Sequence, residues 1–174
     1  YYKKPEATAA AIDRDGWFHT GDAGYLKDSH LYLTERIKDL FKTSNGKYIS
    51  PQALETKLAI DRYIDQIAVI ADERKFVSAL IVPVYGFVKD YAKEKGIAYS
   101  NMDELLQHPK IQALFRARID TLQQQFAHYE QVKRFTLLTE PFSMERGELT
   151  NTLKLKRSVV AKNYKGLIDK MYEE

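Results

Sequence analysis

Apolar and polar positions change their spacing several times along the chain, and each change predicts a different kind of element. Between Asp13 and Thr34 the apolar residues are grouped as Tyr25-Leu26 and Leu31-Tyr32-Leu33 on either side of Lys27-Asp28-Ser29-His30, with Gly16, Gly21 and Gly24 as punctuation. Short apolar runs around a polar turn predict a β-hairpin. Glu35-Arg36-Ile37-Lys38-Asp39 follows with no packing pattern of its own, and a boundary is expected near Arg36 to Lys38. Ser50-Pro51 then reads as a helix start, with a hydroxyl cap and proline at the first helical position. Leu54 and Leu58 share one face of that helix, and its end is expected by Asp61.

Two continuous apolar runs, Ile67 to Ile70 and Phe76 to Val82, flank the charged turn Asp72-Glu73-Arg74-Lys75 and predict a buried antiparallel pair. From Gly86 to Glu130 the spacing becomes helical. Ile111, Phe115, Ile119, Leu122, Phe126 and Tyr129 recur at steps of three and four, which reads as a core-facing stripe rather than a cofactor site. Val132 to Leu138 returns to strand character, and a basic amphipathic helix is expected from about Lys156 to Met171. The sum is an α+β fold, a small, mostly antiparallel sheet packed with helices and preceded by a short β-hairpin.

Composition narrows the chemistry more than the fold. The 174 residues suit one ordinary domain, and 27 basic against 24 acidic side chains leave a net charge of only +3. Acidic Asp169, Glu173 and Glu174 interrupt the basic C-terminal stretch, so a nucleic-acid partner is not expected. With no cysteine, a disulfide scaffold, a thiolate nucleophile, an iron–sulfur cluster and Cys-ligated zinc are excluded. His19, His30, His108 and His128 do not fall at metal-ligand spacing, and no metal site is expected. The longest apolar stretch, Val77 to Val88, is broken by Ser78, Pro83 and Gly86 and is too short to span a bilayer. The chain opens on Tyr1-Tyr2-Lys3-Lys4 with neither an initiator methionine nor an apolar signal core, and is expected to be a piece of a longer protein.

Four segments hold candidate chemistry. Gly16-Trp17-Phe18-His19-Thr20-Gly21-Asp22-Ala23-Gly24 presents one carboxylate, Asp22, which can accept two hydrogen bonds from a vicinal diol such as a ribose; the same residues also read as an ordinary turn. Arg36 and Lys38 sit at the expected boundary, where a charged linker is the plainer reading. Lys42-Thr43-Ser44-Asn45-Gly46-Lys47-Tyr48 is a glycine-containing polar loop that leaves backbone groups open to a ligand, although it lacks the spacing of a nucleotide-binding phosphate loop. Thr150-Asn151-Thr152-Leu153-Lys154-Leu155-Lys156-Arg157 places lysines on a polar loop, where an ammonium can oppose a developing negative charge or simply be solvated.

In this order the segments resemble the C-terminal part of the AMP-forming acyl-CoA synthetases, and the resemblance covers essentially the whole chain. Residues 16 to 22 match that family's Gly-Trp-Phe-His-Thr-Gly-Asp motif, and Tyr1-Tyr2-Lys3-Lys4-Pro5-Glu6-Ala7-Thr8 looks like the stretch before it. Glu35-Arg36-Ile37-Lys38-Asp39 looks like the hinge motif, with Glu35 where Asp is more usual. Leu153-Lys154-Leu155-Lys156-Arg157 keeps the Lys and Arg of the last motif but has Leu153 in place of glycine. That leucine, the helical insertion from Gly86 to Glu130 and the segment from Glu140 to Thr150 look like the long-chain branch.

The resemblance implies that residues 1–35 end a large N-terminal domain and residues 36–174 form a mobile C-terminal lid. It implies ATP, coenzyme A and magnesium as cofactors of the full-length enzyme, with the magnesium site outside this chain, and a fatty acid as the acyl substrate. Lys154 would be the adenylation lysine, with Lys156 as its rival; Asp22 and Arg36 would bind the nucleotide; Lys38 would be the hinge. The loop with Lys42, Gly46 and Lys47 would line the approach of coenzyme A. The missing N-terminal domain is then the principal partner, the chain alone is expected to be inactive, and the expected location is cytoplasmic with room for peripheral membrane contact. Two alternatives stand beside this, a ligase for aryl or short-chain acids and a non-catalytic interaction module that docks through the Ile111 to Tyr129 stripe.

Overall fold

The computed structural model describes residues 1–173, with the side chains of Thr34, Glu35 and Lys38 outside that description. The chain divides into two compact units, Tyr1–Leu40 and Phe41–Glu174.

The first unit opens with helix α1 (Pro5–Ala11), with Pro5 at its first turn and no buried residue. The alanine-rich segment forms a helix by propensity without an amphipathic stripe, so the apolar pattern gave no signal for it. Strands β1 (Asp22–Lys27) and β2 (His30–Arg36) make the expected hairpin, pairing antiparallel with Asp22 opposite Arg36. Asp28 and Ser29 at its turn have φ of 50° and 61°, the two positive values a tight primed turn requires. Gly24 sits at a register shift, where a Cβ would come within 2.6 Å of the Tyr32 carbonyl oxygen, so only glycine allows the strands this approach. A 3-10 turn, Ile37–Asp39, follows β2.

The second unit begins with a small antiparallel hairpin, β3 (Phe41–Lys42) and β4 (Tyr48–Ile49), and helix α2 (Pro51–Leu58). The Ser50 side chain accepts a hydrogen bond from the Ala53 amide, and Leu54 and Leu58 are buried, as the sequence indicated. Strands β5 (Ile64–Ile70) and β6 (Val77–Pro83) pair antiparallel, while β7 (Val132–Leu137) joins β6 in parallel, giving the order β5-β6-β7. The expected antiparallel pair is present, but the sheet is mixed. A parallel neighbour cannot be reached through a tight turn, so residues 84–131 form the crossover between β6 and β7.

That crossover is three helices, α3 (Tyr85–Glu94), α4 (Met102–Gln107) and α5 (Pro109–Leu122). Gly96, with φ of 62°, follows the end of α3. The Asn101 side chain accepts from the Glu104 amide at 2.9 Å while the Glu104 carboxylate accepts from the Ser100 amide at 2.7 Å, a reciprocal cap that starts α4. Ile111, Phe115 and Ile119 are buried, but the helix stops at Leu122, leaving Phe126 half-buried and Tyr129 exposed in the turns that follow. The stop has a local cause. Gln123 turns its side chain to the edge of β7, where Oε1 accepts from the Val132 amide at 2.8 Å. The buried part of the stripe is core packing, which removes its support for a docking face.

Every residue of β6 is buried because the sheet is covered on both faces. Val77, Ala79 and Ile81 join a cluster with Leu54, Leu58, Val88, Leu105 and Phe115. Leu80 and Val82 join the opposite one with Leu138, Phe142, Val160, Ile168 and Met171. The expected C-terminal helix is instead two, α6 (Arg157–Asn163) and α7 (Lys165–Lys170), interrupted at Tyr164, whose ring sets edge-on to Phe142 at 5.7 Å. Among the described residues no helix is long and apolar enough to cross a membrane.

Candidate active site

In the first unit, the candidate nucleotide residues come together through strand pairing. Asp22 and Arg36 face each other across β1 and β2, with Arg36 Nε 3.4 Å from Asp22 Oδ1. The Asp22 amide donates to Thr20 Oγ1 at 3.1 Å, and the Gly21 carbonyl accepts from the Ile37 amide at 2.8 Å. The preceding turn is organised by Asp13, which accepts from the Asp15 and Trp17 amides and meets His19 Nε2 at 3.1 Å. The Trp17 amide, joined by His19 and the Asp15 amide, outweighs desolvation and holds the Asp13 carboxyl below its ordinary range. An open cleft of about 530 Å³ lies beside this turn, lined by Phe18, His19, Thr20, Gly21 and Arg36 among others. Lys38, the candidate hinge, has its side chain outside the described residues.

In the second unit the Lys42 to Tyr48 loop closes the β3–β4 hairpin, and it differs from the open cradle its composition suggested. The amides of Thr43, Ser44, Gly46 and Lys47 donate to the Lys47 carbonyl, the Arg74 carbonyl, the Thr43 carbonyl and the Thr43 hydroxyl. The backbone polar groups are thus largely satisfied internally, as an ordered loop requires. What the loop shows outward is charge on aromatic surface: Lys42 Nζ stands 6.0 Å from the Tyr48 ring centre and Lys47 Nζ 5.6 Å from that of Tyr129.

Lys154 stands on a second hairpin, from Leu149 to Leu155, whose two ends form an antiparallel bridge. The Thr150 amide donates to the Lys154 carbonyl at 2.8 Å, and Thr150 Oγ1 accepts from the Lys154 amide at 3.0 Å and the Thr152 amide at 3.3 Å. Leu153, where the resemblance led one to expect glycine, has φ of 59° and is 68% exposed. A side chain in that region costs about 1–2 kcal/mol relative to the right-handed conformation. Lys154 and Lys156 are both exposed, but Lys154 stands just after the turn, paired with Thr150 inside the Leu149–Leu155 bridge, while Lys156 lies beyond that bridge, its amide bonded to the Glu148 carbonyl at 2.7 Å.

Two anchors that the sequence did not signal hold this hairpin. Glu148 is fully buried and accepts from the Ser143 amide, Arg146 Nε and Asn163 Nδ2 at 3.0–3.2 Å. Burial alone would raise its carboxyl; Arg146, the Ser143 amide and Asn163 outweigh that and hold it below the ordinary glutamate value. Arg157 forms a two-pronged pair with Glu55, both contacts 2.6 Å, and Glu55 also accepts the Val69 amide at 2.8 Å. The arginine of the last motif therefore ties α6 to α2 and to the free edge of β5. Glu55 lies 102 positions from Arg157, and no local pattern links them. Among the described residues no three His, Asp or Glu side chains converge as metal ligands, and no magnesium-binding residue is assigned in this chain.

Residues 38–174 match the family described as the AMP-binding enzyme C-terminal domain. The chain belongs to this family. Two curated relatives of this chain carry long-chain names. The peroxisomal long chain acyl-CoA synthetase 7 of Arabidopsis thaliana is 36% identical over 178 residues, covering 100% of this chain and 25% of that protein. Long-chain-fatty-acid–CoA ligase 5 of Rattus norvegicus is 36% identical over 180 residues, covering 99% of this chain and 26% of that protein. Among solved structures, the adenylation domain of a carboxylate reductase from Mycobacterium chelonae matches with a TM-score of 0.80 at 26% identity, over 100% of this chain and 26% of that one. The chain thus spans about a quarter of the length of the curated relatives it matches.

Proposed function

We propose that this chain is the C-terminal part of a ligase that activates a long-chain fatty acid with ATP to acyl-AMP and pyrophosphate, then transfers the acyl group to the thiol of coenzyme A. The observation that carries the reading is the braced hairpin that presents an exposed Lys154 just after its turn. The names of the relatives support the choice of acid and acceptor.

The residue types follow from charge. In the first half-reaction an anionic carboxylate approaches the α-phosphate of a polyanion, and repulsion grows toward the transition state. The Lys154 ammonium between them offsets it; such preorganised stabilisers are typically worth about 10²–10³ in rate. Asp22 accepts the ribose hydroxyls with Arg36 beside it, which orients the α-phosphate without entering the chemistry. Lys38 is the pivot between the two half-reactions. In the second, the loop bearing Lys42, Gly46 and Lys47 lines the approach of coenzyme A. With its amides engaged, the loop acts there through its two lysines and exposed Tyr48. Magnesium accompanies ATP through residues outside this chain.

The test is pyrophosphate exchange and acyl-CoA formation by the longer protein that contains this chain, with long-chain, short-chain and aryl acids compared. Exchange that depends on a long-chain fatty acid is expected, with neither activity in the 174-residue chain alone. Exchange indifferent to added acid, or thioester made by the isolated chain, overturns the reading; preference for an aryl or short-chain acid moves it to that alternative.

A further inference from the structure

Lys154 can oppose charge at one point only if its backbone is fixed, and the hairpin tip contains one residue in an unfavourable conformation, Leu153 at φ of 59°. An exposed leucine gains little from burial there, so something local must hold it. The contacts converge on Thr150. Its carbonyl accepts from the Leu153 amide at 2.8 Å, its amide donates to the Lys154 carbonyl at 2.8 Å, and its hydroxyl oxygen accepts the amides of Lys154 and Thr152 and lies 3.0 Å from the Thr152 hydroxyl. The two backbone contacts survive any substitution at position 150 except proline. The hydroxyl contacts do not, and they are the ones that grip the residues on either side of Leu153.

We propose that Thr150 is a positioning residue for Lys154: its hydroxyl holds Leu153 in the left-handed conformation and so fixes where the ammonium points. The proposal rests on the adenylation role given to Lys154 above. Without the hydroxyl, two amides at the tip turn to water, Leu153 relaxes toward negative φ, and the Lys154 backbone rotates with it. The hairpin stem, bridged at Leu149 and Leu155 and bonded from the Lys156 amide to the Glu148 carbonyl, stays in place. The defect is therefore one of direction, not of folding.

The test uses Thr150→Val, which keeps the shape and removes the hydroxyl, Thr150→Ser, which keeps the hydroxyl, and Thr150→Val combined with Leu153→Gly, which removes the strain the hydroxyl opposes. Amide hydrogen exchange at Lys154 is read in this chain, and the two half-reactions are read in the longer ligase. For Thr150→Val, faster exchange at Lys154 is expected, with a fall of about 10–100-fold in kcat for pyrophosphate exchange, the scale of a misplaced catalytic group. KM for ATP and thioester formation from supplied acyl-AMP should stay within about twofold, since Thr150 acts only through Lys154. Thr150→Ser should behave like the parent, and added Leu153→Gly should restore most of the loss, which no general structural defect would allow. Unchanged exchange at Lys154 in Thr150→Val, equal losses in both half-reactions, or no relief from either serine or glycine overturns the proposal. Lys154→Ala run alongside separates the two claims: if it spares pyrophosphate exchange, the adenylation role itself is wrong, and the amide exchange still judges whether Thr150 holds the tip.

Discussion

Glu148 stands at the base of the Lys154 hairpin, where its carbonyl accepts the Lys156 amide, and it keeps its charge while fully buried. Such a group is tolerable only while its partners remain, and here Arg146, Asn163 and the Ser143 amide all donate to it. Glu148→Gln leaves Arg146 facing a neutral amide and should cost about 2–4 kcal/mol, measured by urea unfolding at neutral pH. The pH dependence has a definite sign. The Glu148 carboxyl is lowered from its ordinary value of 4.5, so its contribution is complete above that value and is lost as pH falls through the folded-state value beneath it. The gap in stability between parent and Glu148→Gln should accordingly narrow below about pH 4.5, and a gap independent of pH down to acid unfolding would contradict this. Lys154 was legible in the sequence as a lysine on a polar loop. Glu148 was not, since its role depends on Asn163 fifteen residues away and on burial that no spacing reports.

Elements that depend on neighbouring residues are legible in the sequence. The cap at Ser50-Pro51, the hairpin around Asp28-Ser29 and the two apolar strand runs all form where the pattern placed them. The helical stripe outruns the helix, because apolar spacing continues through Phe126 and Tyr129 while the chain leaves the helix at Gln123 to cap β7. The parallel pairing of β7 was invisible for a related reason: nothing in a strand's own residues states which neighbour it takes. These two outcomes separate under substitution. Phe115→Ala removes a fully buried ring between α5 and the sheet and should cost about 3–5 kcal/mol. Tyr129→Ala removes an exposed side chain and its contact with Lys47 and should cost under about 1 kcal/mol. Thermal or urea unfolding of the two variants measures the contrast, and equal costs would mean that the stripe packs as one helix after all.

Across the whole chain the candidate residues divide between two units, Asp22 and Arg36 in the first, Lys42, Gly46, Lys47 and Lys154 in the second. The order of the motifs along the sequence made the family legible, because each short motif is weak alone and their succession is not. What the sequence left out is how the second unit is tied together. Glu55 joins Arg157 of α6 and the Val69 amide of β5 from its place in α2, so the segment after Lys154 and the helix after the Lys42 to Tyr48 loop belong to one braced body. A body built this way suits a part that would present one loop or the other without deforming either. The central claim is that Lys154 serves the adenylation step alone. Its most direct test is Lys154→Ala in the longer ligase, with the two half-reactions measured separately. The expected result is a fall of about 10²–10³ in fatty-acid-dependent pyrophosphate exchange, with thioester formation from supplied acyl-AMP kept within a few-fold. Exchange that survives the substitution, or an equal loss in both half-reactions, would contradict it.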